Sequence, residues 1–137
     1  MEESTIINPQ YLPPLTLAYI GDSVFEMFVR RKNLISGFKK VDRLHRETVK
    51  RVNASAQARL LEFIETELSP EERAVLRRGR NTASGHTPKN STMLDYRKST
   101  GLEALIGYLY LSQRLDRVEE IIDKIDFALE RGEKINA

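Results

Sequence analysis

The sequence lacks cysteine, and it contains only two histidines among its 137 residues. Without cysteine there can be no disulfide, thiol nucleophile, thiolate zinc site or iron–sulfur cluster. Two histidines are too few for a three-histidine zinc centre. These absences exclude thiol chemistry and both thiolate and three-histidine zinc sites before any motif is considered.

Long hydrophobic runs are also missing. No apolar run approaches the roughly 18 residues that span a membrane, and the N-terminal residues Met1-Glu2-Glu3-Ser4 lack the basic region of a signal peptide. We therefore expect a cytoplasmic protein with no membrane contact. Its length and its 40% hydrophobic content suit one domain over residues 1–137.

Positive charge is concentrated in two segments, although the net charge is only +2. Residues 30–51 contain nine Lys or Arg against two acids, and residues 73–98 contain seven against one. If folding brings the two segments together, one face of the protein would attract a polyanion. Two separate solvated helix faces would explain the same pattern, so the charge leaves both interpretations open.

Apolar residues recur at spacings of three and four along most of the chain, which is typical of helices with one buried face. No segment alternates apolar and polar residues for long enough to form a strand. The predicted class is therefore all-α, with five to seven helices. The spacing predicts single helices over about 15–33, 98–113 and 116–131, and one long helix or a bent pair over about 42–67.

Polar residues predict several helix ends. Ser69-Pro70-Glu71-Glu72 has the pattern of a capping box with proline at the first helical position, so a further helix should run to about Arg78. Asp116, followed by Glu119 three residues later, is predicted to cap the last helix, and Gly132 is predicted to end it.

Two segments lack helical spacing. Residues 1–14 are predicted to form an irregular N-terminal arm that ends at Pro13-Pro14. Residues 79–95 contain two glycines, one proline and a run of small polar residues, and they predict a long loop with basic residues at its edges. Loops of this length in a compact domain are usually functional or disordered.

Two carboxylates lie inside the apolar pattern of their helices. Asp22 directly follows Gly21, which suggests close approach by another element because glycine costs a helix interior about 1 kcal/mol relative to alanine. Glu103 is the only acid in residues 96–115. Paired carboxylates from two helices commonly hold Mg²⁺ or Mn²⁺. From the residues alone, a capping or ion-paired acid on each helix remains the alternative.

Three segments, in order along the chain, resemble the ribonuclease III family. Residues 17–26 (LAYIGDSVFE) resemble the signature helix of the bacterial enzyme, and residues 100–110 (TGLEALIGYLY) resemble its second catalytic helix. Between them, residues 49–58 (VKRVNASAQA) resemble its middle packing helix. The order and spacing agree over about 15–112, and the chain ends where the family's double-stranded-RNA-binding domain would follow. It therefore resembles the short branch of the family.

The resemblance implies a homodimeric, Mg²⁺-dependent endoribonuclease that cleaves double-stranded RNA, with Mn²⁺ able to substitute. In the short branch, the implied substrate is the precursor of large-subunit (23S) ribosomal RNA. Asp22 and Glu103 are then the catalytic residues and metal ligands, and metal-activated water would leave 5′-phosphate and 3′-hydroxyl ends. Whether an accessory RNA-binding protein presents the substrate stays open.

The resemblance is incomplete at two acidic positions. The full-length family usually has a Glu four residues before the signature Asp and an Asp three residues before the second Glu, where this chain has Ala18 and Thr100. With two carboxylates in place of four, we expect weaker metal binding, completed by RNA phosphate oxygens and water. Glu26, one turn after Asp22, could assist through water or pair with Arg30 at i+4.

The same resemblance gives the basic segments a partner. A-form RNA is recognised largely by shape and backbone charge, so we expect residues 79–95 to act as a basic substrate loop. Tyr19 matches the position where the family inserts an aromatic side chain into the partner subunit, with an ordinary core aromatic as the alternative. The expected RNA contacts are Arg77, Arg78, Arg80, Lys89, Arg97 and Lys98.

The two missing acids also suit a different class of function. A non-catalytic double-stranded-RNA binder or ribosome-assembly adaptor could use the same fold without cleavage. A generic helical protein-interaction domain is a third interpretation. Mg²⁺-dependent cleavage of an RNA duplex distinguishes the enzyme from both.

Overall fold

The computed structural model describes residues 7–82 and 92–136, with side chains through Gly132. These ranges form seven α-helices, two 3-10 turns (Pro9–Tyr11 and Glu65–Glu67) and no strand, which confirms the predicted all-α class. None of these helices is long and apolar enough to cross a membrane. The helices are α1 (Pro14–Ile35), α2 (Val41–Val52), α3 (Ala54–Ile64), α4 (Pro70–Thr82), α5 (Met93–Leu111), α6 (Leu115–Ile122) and α7 (Ile125–Asn136).

The region predicted over 42–67 is a bent pair of helices. Asn53 separates α2 from α3 with an extended backbone, at φ −70° and ψ 162°. Its side-chain amide donates to the Val49 carbonyl at 2.9 Å, and its Oδ1 accepts from the Ala56 N–H at 2.8 Å. One side chain therefore closes α2 and caps α3, as asparagine at a helix start commonly does.

The capping box predicted for α4 is present. The Ser69 N–H donates to Glu72 Oε1 at 2.9 Å, and the Glu72 N–H donates to Ser69 Oγ at 3.1 Å. The predicted end at Arg78 is wrong, because α4 continues to Thr82. The helix passes through Gly79, whose backbone packs on α5, and this packing outweighs the low helix propensity of glycine.

The irregular segment predicted over 79–95 is too long at both ends. Residues 79–82 belong to α4, and α5 already begins at Met93. Thr92 caps α5, since its Oγ1 accepts from the Asp95 N–H at 3.0 Å. The remainder of the predicted substrate loop, residues 83–91, lies outside the described residues, as do residues 1–6 of the predicted N-terminal arm.

The C-terminal region forms two helices, so the single helix predicted over 116–131 is wrong. Between α6 and α7, Lys32 Nζ from α1 donates to the Asp123 carbonyl at 2.7 Å. Arg51 Nε from α2 donates to Asp126 Oδ1 at 2.7 Å. These contacts from distant helices stabilise a break that the apolar spacing conceals, because that spacing continues through it.

Both predicted ends of that helix also differ from the structure. Arg114 occupies the N-cap position of α6, and Asp116 lies in the first turn, where its charge favours the positive end of the helix dipole. The backbone of α7 continues past Gly132 to Asn136.

The central helix of the fold is α5, which contacts α1, α3 and α4. Leu102, Leu105, Ile106 and Leu109 are completely inaccessible to solvent. Every residue from 99 to 109 is buried except Glu103, which is only partly covered. The one interruption in the buried surface of α5 is therefore a carboxylate.

Two glycines bring α1 and α5 into direct backbone contact. A Cβ added to Gly21 would lie 1.7 Å from the Glu103 carbonyl oxygen, and one added to Gly107 would lie 2.0 Å from the Leu17 carbonyl oxygen. Neither position has room for any side chain. The separation of α1 and α5 is thus set by main-chain atoms at two points.

We expect Gly21→Ala to destabilise the protein by about 1 to 3 kcal/mol or more, because the added methyl group must separate two packed backbones. This loss should exceed the gain of about 1 kcal/mol from the higher helix propensity of alanine. Chemical denaturation measures the difference. In the control variant Gly132→Ala, the nearest atom is Arg59 Cδ at 3.3 Å. This flexible side chain can move, so stability should be unchanged or slightly higher, and equal stability of both variants would contradict the backbone contact.

Candidate active site

The backbone contact between α1 and α5 places two carboxylates side by side. Asp22 directly follows Gly21, and Glu103 supplies the carbonyl oxygen on which Gly21 packs. The side-chain carboxyl groups of Asp22 and Glu103 lie within hydrogen-bonding reach of each other. The two acids singled out in the sequence therefore occupy one site, although they belong to different helices.

The two carboxyl groups differ in exposure. Asp22 is exposed, whereas Glu103 is only partly accessible beneath it. The pKa of Glu103 is raised from 4.5 to about 9, first by burial and then by the hydrogen bond and charge of Asp22, while contact with Gln57 opposes the change. Without a metal, Glu103 therefore favours its protonated form at neutral pH.

Gln57 of α3 is the third polar side chain at this site. It is only 2% exposed, its Nε2 donates to the Val52 carbonyl at 3.1 Å, and its amide contacts the Glu103 carboxyl group. The sequence interpretation treated it as part of a packing helix. The available signal was local: Gln57 is the only long polar side chain among the small residues 54–58 on the buried side of α3.

The positions where the family has further acids serve packing in this chain. Ala18 lies in the hydrophobic core with 8% exposure. Thr100 is 5% exposed, and its hydroxyl donates to the Tyr96 carbonyl at 3.0 Å. Arg30 Nε donates to Glu26 Oε2 at 3.1 Å, so Glu26 has the ion-pairing role that was one of its two predicted roles.

The side chains at this site suit a divalent cation, but they supply only part of its coordination shell. Asp22 and Glu103 each offer carboxylate oxygens, which hard cations such as Mg²⁺ and Mn²⁺ prefer. No cluster of three or more acidic, histidine or cysteine ligands occurs in residues 7–82 and 92–132. Gln57 Oε1, which is buried, lacks a hydrogen-bond partner among the same residues. Within these residues the two carboxylates are the acidic ligands at the site, so substrate and water would supply others.

An arginine-bearing face of α4 lies next to the same part of α5. A Cβ on Gly79 would lie 2.9 Å from Gly101 Cα, so the α4 and α5 backbones meet two residues before Glu103. The predicted RNA-binding residues Arg77 and Arg78 are exposed on α4, and Arg97 is exposed on α5. None of these three forms an ion pair within the described part of the chain.

The other three predicted RNA contacts have different surroundings. Arg80 is partly buried, with its Nη1 3.9 Å from Glu65 Oε1. Lys98 is 16% exposed and donates to Glu62 Oε1 at 2.8 Å, so an acid of the same chain already neutralises it. Lys89 lies outside the described residues.

Tyr19 is 80% exposed, so it is not the core aromatic that was the alternative for this position. Met27 and Leu34, which are 67% and 60% exposed, share its side of α1 at helical spacing. The apolar stripe formed by Tyr19, Met27 and Leu34 ends at a groove between α1 and α2, lined in part by Val41 and Leu44. Exposed apolar side chains on one side of a helix can mark an interaction site.

Comparison with known sequences gives a consistent result. The ribonuclease III domain family matches residues 15–114. Mini-ribonuclease 3 of Symbiobacterium thermophilum is 43% identical over 128 residues, which cover 93% of this chain and 98% of that protein. Mini-ribonuclease 3 of Brevibacillus brevis is 40% identical over 132 residues, which cover 96% of this chain and 98% of that protein.

A solved structure extends the similarity to the fold. The crystal structure of a Fusobacterium nucleatum protein has a TM-score of 0.77 to this chain at 27% sequence identity. The match covers 90% of this chain and 96% of that protein. The two proteins therefore share their architecture over nearly their whole lengths.

The raised pKa of Glu103 predicts how stability depends on pH in the absence of metal. Between about pH 4.5 and 9, folded Glu103 keeps its proton while the unfolded chain releases it, so stability should fall as pH rises through this interval. The loss should be at most about 1.4 kcal/mol per pH unit. Glu103→Gln removes this dependence, so its stability advantage over the wild type should grow from pH 5 to pH 8.

Urea denaturation in the presence of a chelator at several pH values measures this difference. Glu119→Gln, which changes an acid on α6 away from the site, serves as the control and should follow the wild type. A constant difference between Glu103→Gln and the wild type from pH 5 to pH 8 would contradict the prediction.

Proposed function

Since the chain belongs to the ribonuclease III family and is a double-strand-specific endoribonuclease of the Mini-ribonuclease 3 type, we propose that it uses Mg²⁺ held by Asp22 and Glu103. The observation that carries this proposal is the contact between the two carboxyl groups across α1 and α5. Mn²⁺ offers the same preference for oxygen ligands and should substitute.

A bound cation and the protein side chains would contribute different parts of the cleavage chemistry. A divalent ion at this site would lower the pKa of a bound water and stabilise charge on the leaving 3′ oxygen. Asp22 is exposed, so an RNA backbone can approach it from solvent, whereas Glu103 on α5 is only partly accessible. Attack by water requires no side-chain nucleophile and leaves 5′-phosphate and 3′-hydroxyl ends.

Duplex RNA would lie across the junction of α4 and α5. Arg77, Arg78 and Arg97 present positive charge, without an ion pair among residues 7–82 and 92–132, on the two helices that meet beside Glu103. Arginine side chains suit the phosphates that border the wide minor groove of A-form RNA. Lys89 and Arg80 remain part of this proposed surface, whereas Lys98 would first have to leave Glu62.

A homodimer would place two such sites on one duplex. Tyr19 lies three residues before Asp22 on α1, so an interface through the apolar stripe would bring the two copies together beside their carboxylates. Symmetric pairing through a two-fold axis uses the same surface on both subunits. Each site could then cut one strand, which gives short 3′ overhangs.

The proposed natural substrate is the cytoplasmic precursor of large-subunit ribosomal RNA. This proposal follows from membership of the Mini-ribonuclease 3 type, together with the arginine surface that suits any duplex of A-form geometry. Cleavage of a transcript that contains the 23S precursor ends, with and without cell extract, would show whether an accessory RNA-binding protein is needed.

Asp22→Asn should abolish Mg²⁺-dependent cleavage, with a loss of at least about 100-fold, because it removes a ligand charge. Binding of duplex RNA, measured with Ca²⁺ in place of Mg²⁺, should remain close to that of the wild type. Glu26→Gln, one turn further along α1, is the matched control and should cleave normally, since Glu26 pairs with Arg30. Equal cleavage by Asp22→Asn and the wild type would refute the catalytic assignment and favour a non-catalytic RNA binder.

The double variant Arg77→Ala/Arg78→Ala should weaken RNA binding to a similar extent for all duplex sequences. If each arginine neutralises one phosphate, the slope of log K against log salt should become shallower by about 1.4 to 1.8. Lys124→Ala is the control, because Lys124 pairs with Glu67 at 2.6 Å. Identical slopes for the double variant and the wild type would place the RNA elsewhere.

Tyr19→Asp should shift a dimer towards monomers, because a charge in an apolar interface has no partner. Loss of a central tyrosine contact commonly costs 2 kcal/mol or more, which corresponds to a rise of about 30-fold in the dimer dissociation constant. Sedimentation velocity measures it. Tyr11→Asp, at an 83% exposed tyrosine outside α1, should leave the assembly unchanged. A wild type that is monomeric at micromolar concentration would overturn the proposed dimer.

A further inference from the structure

The amide group of Gln57 connects the helix break between α2 and α3 to the carboxylate site. Its Nε2 donates to the Val52 carbonyl at 3.1 Å, one residue before the break at Asn53. The same amide contacts the Glu103 carboxyl group. With 2% exposure, Gln57 is in a position where each polar atom needs a partner.

The orientation of this amide is determined by its neighbour. The Val52 carbonyl can only accept a hydrogen bond, so the NH₂ end of Gln57 must face it. Oε1 then occupies the other end of the amide, where it has no hydrogen-bond partner among the described residues. Gln57 Oε1 is the only buried side-chain nitrogen or oxygen in those residues that lacks one. A buried acceptor without a donor destabilises a protein.

The adjacent groups of the site cannot supply the missing donor once both acids are ionised. Ionised Asp22 and Glu103 carboxylates only accept hydrogen bonds. No donor for Gln57 Oε1 then remains among the described residues, and a water bound to a cation at Asp22 and Glu103 would be a strong one. Polar groups that hydrogen-bond to the ligands of a metal site orient those ligands.

We propose that Gln57 is a positioning residue of the metal site, whose Nε2 orients Glu103 and whose Oε1 accepts a hydrogen bond from a cation-bound water. The inference rests on the proposed function, because it requires a divalent cation at Asp22 and Glu103. It makes an amide, rather than a further acid, the third contribution of this chain to the site. It also gives the unpartnered Oε1 atom a role.

The test is the affinity for Mn²⁺ alone, measured by electron paramagnetic resonance on the full-length chain without RNA. Gln57→Met keeps the length of the side chain but removes both polar atoms, and it should raise the Mn²⁺ dissociation constant by about tenfold or more. Cleavage should need correspondingly more Mn²⁺ and recover substantially when the metal is saturating. A purely structural role would change the unfolding free energy without this shift in metal dependence.

Asn33→Leu is the matched control. Asn33 is also 2% exposed, and its Nδ2 donates to Thr48 Oγ1 at 3.1 Å between α1 and α2, away from the carboxylates. This variant removes a buried amide of the same kind, so it should lower stability and leave the Mn²⁺ affinity unchanged. If Gln57→Met does not fold, Gln57→Asn withdraws the amide by one methylene and should weaken Mn²⁺ binding in the same direction.

Folded Gln57→Met or Gln57→Asn protein that binds Mn²⁺ as tightly as the wild type would overturn the inference and leave the proposed function intact. An equal loss of Mn²⁺ affinity in Asn33→Leu would also overturn it, because the effect would then be general. A wild type that neither binds Mn²⁺ nor cleaves duplex RNA would instead refute the proposed function itself. The two failures are therefore distinguishable.

Discussion

The contact between the main chains of α1 and α5 is the constraint on which the rest of this structure depends. Gly21 lies so close to the Glu103 carbonyl, and Gly107 so close to the Leu17 carbonyl, that neither can carry a side chain. Two fixed points define how the helices cross. The same contact places Asp22 against Glu103, so the geometry of the carboxylate pair follows from the packing of the backbone rather than from flexible side chains.

At Glu103, the fold disfavours the ionised form of the carboxyl group that metal binding would require. Glu103 is the only incompletely buried position in the most buried stretch of α5, and its charge is disfavoured both by burial and by Asp22. A cation bound by the two acids would offset both effects, because its positive charge favours the ionised form of Glu103. Among the described residues only Asp22 and Glu103 offer carboxylates at this site, and a phosphate backbone could contribute further oxygen ligands.

The sequence was sufficient for those features that depend on local pattern. Helical spacing predicted the all-α class, and the capping box at Ser69 and Glu72 is present as expected. The local sequence pattern predicted wrong helix boundaries where contacts between residues far apart in the sequence determine them. Lys32 and Arg51 stabilise the break between α6 and α7, and contact with α5 extends α4 through Gly79. At the site, the motif resemblance identified both acids. Gln57 was identified only in the structure, from its burial and from its Oε1, which has no hydrogen-bond partner among the described residues.

The two positions that lack acids show how this site differs from a four-carboxylate arrangement. Ala18 is part of the core, and the Thr100 hydroxyl is committed to the Tyr96 carbonyl. Glutamate at position 18 would insert a longer, charged group into the core, and aspartate at position 100 would lose the hydroxyl that donates to the Tyr96 carbonyl. A single substitution therefore does not create a four-carboxylate ligand set, and any engineering route to tighter metal binding would have to redesign the neighbouring interior at the same time.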